Sequence, residues 1–163
     1  MDIVKFWKDQ VDLWNESDKC GLCFEFSAPL VQSQSNTNQT EDPCCVQVWI
    51  TDIGFRENIV RATSGLITSH TCIDTFTLWV AKQSPLGVNN YNEIKGRPIE
   101  ESKWEEIFLP IKECLSCDNI LDTCEILGQT NVNVDLTNAT MVHNYLDNVY
   151  NGWRIQYTFT QVI

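Results

Sequence analysis

Residues 151–163 read NGWRIQYTFTQVI, in which Trp153, Ile155, Tyr157 and Phe159 alternate with Arg154, Gln156, Thr158 and Thr160. A period of two is that of a strand with one buried and one wet face. A chain end frays unless a sheet holds it, so this strand is expected to be built into a core. That requirement constrains everything upstream, which must supply both the neighbouring strands and a layer to cover the apolar face.

The supply is visible. CVQVWITDIGF at Cys45 to Phe55 sets Val46, Val48 and Ile50 against Gln47 and Thr51, with Trp49 on the second face. TCIDTFTLWVAKQS at Thr71 to Ser84 sets Phe76, Leu78 and Val80 against Thr75, Thr77 and Trp79. Both read as strands. Residues 56–70 between them are expected to form a further strand or an irregular crossover. CFEF begins a first extended run, and VNVDL at 132–136 is strand-like, while 140–150 has no clear pattern. Tryptophan on both sheet faces predicts cover on both sides, by helices on one and by another subunit on the other.

Two helices are expected to provide the cover. Val4, Trp7, Val11 and Trp14 recur at spacings of three and four, which marks the first fifteen residues as amphipathic. Ser102 with Glu105 makes a capping box ahead of the stripe Trp104, Ile107, Phe108, Ile111 and Leu115. Pro110 should kink this helix or start a second one. Residues 119–127 either extend it or begin an edge strand. Val31 to Asp42, VQSQSNTNQTED, holds no large apolar group after its first valine and predicts a long exposed loop. Residues 84–98, with two prolines, two glycines and three asparagines, carry turn chemistry. The 163 residues suit one domain, 1–163, with 43% hydrophobic side chains and six tryptophans for its core. The expected class is α+β: a curved antiparallel sheet flanked by an N-terminal helix and a second capped helix, with a long polar loop after the first extended segment.

Charge narrows the function. Twenty-two acidic against 11 basic side chains give a net charge of −11, opposite to what a phosphate-gripping surface needs. Sequence-specific nucleic-acid binding is not expected, although a wall past which DNA slides would benefit from this sign. No stretch approaches the roughly 20 apolar residues of a membrane span. Charges at Asp2, Lys5, Lys8 and Asp9 break up any signal-peptide core. The sequons at Asn15, Asn38 and Asn138 are therefore read as chance matches.

Eight cysteines include two CxxC pairs, Cys20/Cys23 and Cys114/Cys117, the vicinal Cys44 and Cys45, and single Cys72 and Cys124. Two knuckles could hold zinc, but about ninety residues separate them where zinc ribbons have about 15–20. CGLC follows a helix and precedes a strand, the reverse of the thioredoxin context. The cysteines are accordingly expected to be small buried apolar residues kept reduced. With only His70 and His143, no multi-histidine cage is possible. His70 near Ser64 lacks a GxSxG elbow and reads as a surface-turn histidine. Glu100, Glu101, Glu105 and Glu106 suit a helix start better than a hydrolase pair. The glycines form no phosphate-binding loop. No catalytic, cofactor-binding or metal residue is assigned, and an enzyme is not expected.

Taken in order, FWKDQVDLWN, the strands VQVWITDIG and CIDTFTLWV, the helix WEEIFLPIKECL and the closing NGWRIQYTF resemble the neck and tail-terminator-like ring proteins of tailed bacteriophages, of the crAss-like type infecting gut Bacteroidetes. The resemblance implies a structural virion protein whose copies form a homo-oligomeric ring, contacting the portal and adjacent neck or tail rings around the DNA channel. It also implies assembly in the host bacterial cytoplasm, with no cofactor. The alternative is a soluble intracellular binding or regulatory domain, zinc-stabilised through Cys20, Cys23, Cys114 and Cys117.

Overall fold

The computed structural model describes residues 1–17, 23–28, 45–83, 109–144 and 150–163, the side chains at positions 45, 83, 109, 110, 143, 144, 150 and 151 excepted. In chain order the elements are α1 (Ile3–Ser17), β1 (Cys23–Phe26), β2 (Cys45–Arg61), β3 (Ile67–Gln83), α2 (Leu109–Cys114), α3 (Cys117–Ile126), β4 (Val132–Asn144) and β5 (Tyr150–Val162). The five strands lie in the order β1-β2-β3-β5-β4. Together they make an α+β fold on a curved, open sheet.

The expected sheet needs one correction. β1 runs parallel to β2, pairing Phe24 with Val46 and Phe26 with Val48, so the sheet is mixed. A four-residue edge strand lying beside the start of β2 is enough to reverse the pattern locally. The other pairings are antiparallel. β5 sits between β3 and β4, so the C-terminal alternation belongs to an interior strand, held along both edges.

Residues directly opposite in a ladder share a face. The registers Val48↔Val80, Ile50↔Leu78, Leu78↔Ile155, Phe76↔Tyr157 and Val134↔Phe159 therefore gather one apolar surface. All three described helices contribute to the core on it, with Trp7, Ile111, Leu115 and Ile120 fully buried there. Trp7 lies 6.0 Å from the Phe76 ring and 5.7 Å from that of Tyr157, while Phe6 meets Phe159 at 5.4 Å. Such pairs add about 0.5–1.5 kcal/mol each beyond area burial. The buried stripe of α1 is Ile3, Phe6, Trp7, Gln10, Val11 and Trp14. Val4, expected in it, is exposed, because the wide contact with the sheet is centred one residue earlier in the first turn.

Local signals explain the ends. Asp2 caps α1 by accepting from Lys5 N at 3.0 Å. Asn15 clamps β1 to the helix: its side chain donates to the Phe24 carbonyl and accepts from Phe24 N, both at 2.9 Å. That sequon amide is thus engaged in the fold. Residues 117–126 form a helix of their own, neither extending the preceding one nor beginning an edge strand as expected for 119–127. Ser116 caps it, and Gly128 at φ 73° ends it, with Gln129 N donating to Cys124 O and Gly128 N to Glu125 O. Pro110 stands in the first turn of α2, where a missing N–H does no harm. The buried hydroxyl of Tyr157 donates to the Leu115 carbonyl, tying β5 to the turn between α2 and α3. The capping box at Ser102, the polar loop Val31 to Asp42, the turn region 84–98 and the acids at 100, 101, 105 and 106 lie outside the described residues.

Residues 56–70 are not a crossover. They form the far end of one long hairpin, with Arg56↔Ile73 and Ile59↔His70 in register and a turn closed by Gly65 N→Ala62 O at 2.9 Å. Gly65 takes φ 86° there, the left-handed position of a bulged hairpin turn.

Candidate functional site

The hairpin runs past the helical layer. Its near half, around Leu78 and Val80, is fully buried, whereas Phe55 is 61% and Leu66 71% exposed, with Ile53, Ile59, Val60 and Ile67 also open. Beyond the rung Thr71↔Val162 and a last bond from Ile163 N to His70 O, only β2 and β3 remain among the described strands. From Trp49 to Arg61, no described strand pairs with the outer edge of β2. An apolar ribbon with a free edge is a template for another strand.

The second face of the sheet is different. Trp49 and Trp79 stack at 5.6 Å, Arg154 lies 5.6 Å over the Trp79 ring, and Trp79 Nε1 donates to Thr51 Oγ1 at 2.8 Å. Trp49 and Ala81 are already buried in the single chain. At these positions the stacked rings already bury much of the apolar surface within one chain. Further along, Asp52, Thr75, Thr77, Gln156 and Thr158 line a shallow recess beside the bulges of β2 and β4. It contains no nucleophile paired with a base.

One side-chain cluster stands on the arm. Glu57 and Cys72 are directly opposite across the β2–β3 ladder, and His70 precedes Cys72 by two residues, so all three point to one side. The His70 Nε2 is hydrogen-bonded to Glu57 Oε1. Cys72 Sγ lies 3.9 Å from that same nitrogen and 3.9 Å from that same oxygen. Cys72 is a free, buried thiol, while Glu57 is exposed and His70 intermediate. A nucleophile–base–carboxylate relay needs the two ring nitrogens to face opposite partners. Here one nitrogen faces both, so the three donor atoms converge on a point instead of forming a chain. His70 is accordingly a strand residue, not the expected surface-turn histidine, and Ser64 sits apart in the hairpin turn.

The cysteine reading divides. Cys72 and Cys124 are free and buried as expected. Cys23 and Cys114 are disulfide-bonded, contrary to the expectation of reduced thiols. A disulfide sulfur is no thiolate ligand, so the four-cysteine zinc set of Cys20, Cys23, Cys114 and Cys117 is not formed in this structure. Burial pushes the Cys124 thiol from 9.0 up to about 11, which makes it inert.

Sequence reasoning assigned no site residue and passed over Glu57. The signal was the turn ATSGL between two β-branched runs, from which the register follows. No protein family model matches this chain, and no curated protein matches it.

Proposed function

We propose that this chain is a structural assembly subunit, of the neck or tail-terminator ring type that its sequence resembles, which completes its projecting hairpin against other copies of itself. The observation that carries this reading is the arm: Phe55, Ile59, Leu66 and Ile67 exposed on a ribbon whose β2 edge has no described neighbour. Ordering such a ribbon alone gains little, since isolated two-stranded hairpins are marginal in water. A second strand laid along Trp49–Arg61 would satisfy the free backbone groups and cover these side chains together. Closed symmetry would limit the growth that an open edge otherwise invites.

Two further features support it. The net charge of −11 suits a conduit along which DNA moves without sticking. The disulfides at Cys23 and Cys114 suit a particle that leaves the reducing host cytoplasm, since disulfides persist in oxidising surroundings. In this reading the chain joins the portal and neighbouring rings in the virion and catalyses nothing.

Light scattering on the purified chain, alone and mixed with its particle neighbours, tests the proposal. A concentration-dependent closed oligomer, lost in Phe55→Asp, is the expected result. A strict monomer under all these conditions, with arm amides exchanging equally fast in each, would remove it.

A further inference from the structure

We infer that Glu57, His70 and Cys72 form a binding site for a zinc-class divalent ion, which pins the two strands of the hairpin arm together. The inference goes beyond the assembly reading and does not rest on it. Its first ground is geometric. One carboxylate oxygen, one imidazole nitrogen and one sulfur lie within 4.8 Å of one another, on side chains that share a face of two adjacent strands. Zinc takes sulfur at about 2.3 Å and nitrogen or oxygen at about 2.0–2.2 Å, which in a tetrahedron puts donor atoms roughly 3.3–3.6 Å apart. The two sulfur separations of 3.9 Å are close to that spacing. Only the hydrogen-bonded Glu57–His70 pair must open, by about 1 Å on the same bond lengths.

Its second ground is donor chemistry. A thiolate, an imidazole and a carboxylate together suit zinc and fit calcium or magnesium poorly, since those ions take oxygen ligands. Three protein ligands leave the fourth position of the tetrahedron to water. On binding, the Cys72 thiol gives its proton to solvent, and the proton that His70 Nε2 shares with Glu57 leaves that nitrogen, the neutral ring then carrying its single proton on Nδ1, so that Nε2 and the carboxylate both become free to coordinate.

Its third ground is what the ion would do there. Cys72 stands opposite Gln161 and Thr71 opposite Val162 in the last rungs with β5, and Ile163 N donates to His70 O, so the cluster sits where that support ends; among the described residues the ribbon beyond it is β2 and β3 alone. A bond from Glu57 on β2 to His70 and Cys72 on β3, through the metal, would fasten the two strands to each other at the base of the projecting ribbon.

The test uses the full chain under anaerobic conditions without thiol reductant, so that both the disulfides and the free thiols keep their state, with Co²⁺ as probe and Zn²⁺ as competitor. Expected is saturable binding of one equivalent, with a thiolate-to-cobalt absorption band in the near ultraviolet that Zn²⁺ abolishes. Cys72→Ser should remove the band. His70→Ala and Glu57→Gln should each weaken binding by at least the ~10- to 100-fold that disturbing even an outer partner of a metal ligand costs. These two positions are not fully buried, so they keep the test open should Cys72→Ser misfold. Cys117→Ser, at another free thiol, should change nothing. Zinc should slow amide exchange on residues 57–71 without altering that of β5. Failure to bind one equivalent, a band that survives Cys72→Ser or follows Cys117→Ser, or affinity unchanged in both other variants, would overturn the site.

Discussion

Strands β2 and β3 pass through two environments, and the contrast between their halves shows what converts a sequence pattern into stability. At Leu78 and Val80 the side chains are 0% exposed beneath the helices. Phe55 and Ile59 lie on the same face of the same ladder, on either side of Glu57, with no described helix above them. The β2–β3 ladder runs through both halves, and β5 adds a second ladder to β3 only from Thr71 inward. Burial differs between them as well, and burial supplies most of the free energy, at roughly 25 cal/mol per Å² of apolar surface. The near half is thus a core, and the far half is apolar surface held out by its own ladder.

The sharpest way to break this comparison is to remove the cover. Trp7→Ala deletes the ring at the centre of the aromatic cluster and should destabilise the chain by about 3–5 kcal/mol in urea unfolding. A loss below about 1 kcal/mol would mean that the helical layer is not what stabilises the near half.

Alkaline pH should act on the near half next. Burial raises the Cys124 thiol from 9.0 to about 11, and burial, with Cys117 as a smaller cause, raises the Tyr157 phenol as well. The folded chain therefore keeps protons that the unfolded chain releases, so stability holds below about pH 9 and falls as pH climbs through 11. Cys124 alone should account for roughly 2–3 kcal/mol of that fall. Unfolding followed from pH 8 to 11 should show it, with a shallower slope in Cys124→Ala.

Tyr157→Phe strips the donor from the Leu115 carbonyl and leaves that oxygen buried. A loss of about 1–3 kcal/mol is expected, read as a lower urea midpoint at unchanged slope.

On the far half, Leu66→Ser should shift unfolding of the isolated chain by less than about 0.5 kcal/mol, because nothing described covers that side chain. A cost comparable to that of Trp7→Ala would show the arm to be packed in the monomer and would erase the contrast.

How much of this could be read in the residues follows the same division. Strand faces around Val48, Leu78 and Ile155 were legible because alternation and burial coincide there. The first helix and the Pro110 start were legible from spacing and backbone chemistry. The parallel placement of β1 was not, since four residues carry no direction. The hairpin was missed because its far strands bear Arg56, Glu57, Asn58 and His70 among the apolar groups, and a ribbon open on both faces shows no clean period. Glu57, His70 and Cys72 became neighbours only once the register was known. The disulfides at Cys23 and Cys114 have no sequence signature of pairing, because spacing alone does not fix which cysteines meet.

The placement of β5 inside the sheet carries a further consequence for how the protein is made. The β2–β3 hairpin can zip as soon as both of its arms emerge from the ribosome, but the inner edge of β3 and the whole of β4 wait for Tyr150–Val162. At roughly 5–20 residues per second, translation leaves the nascent chain for several seconds with Phe76, Leu78 and Val80 laid out on a half-built sheet. Vectorial synthesis therefore stores up the hydrophobic closure for one late, concerted step, taken once Tyr150–Val162 can reach β3.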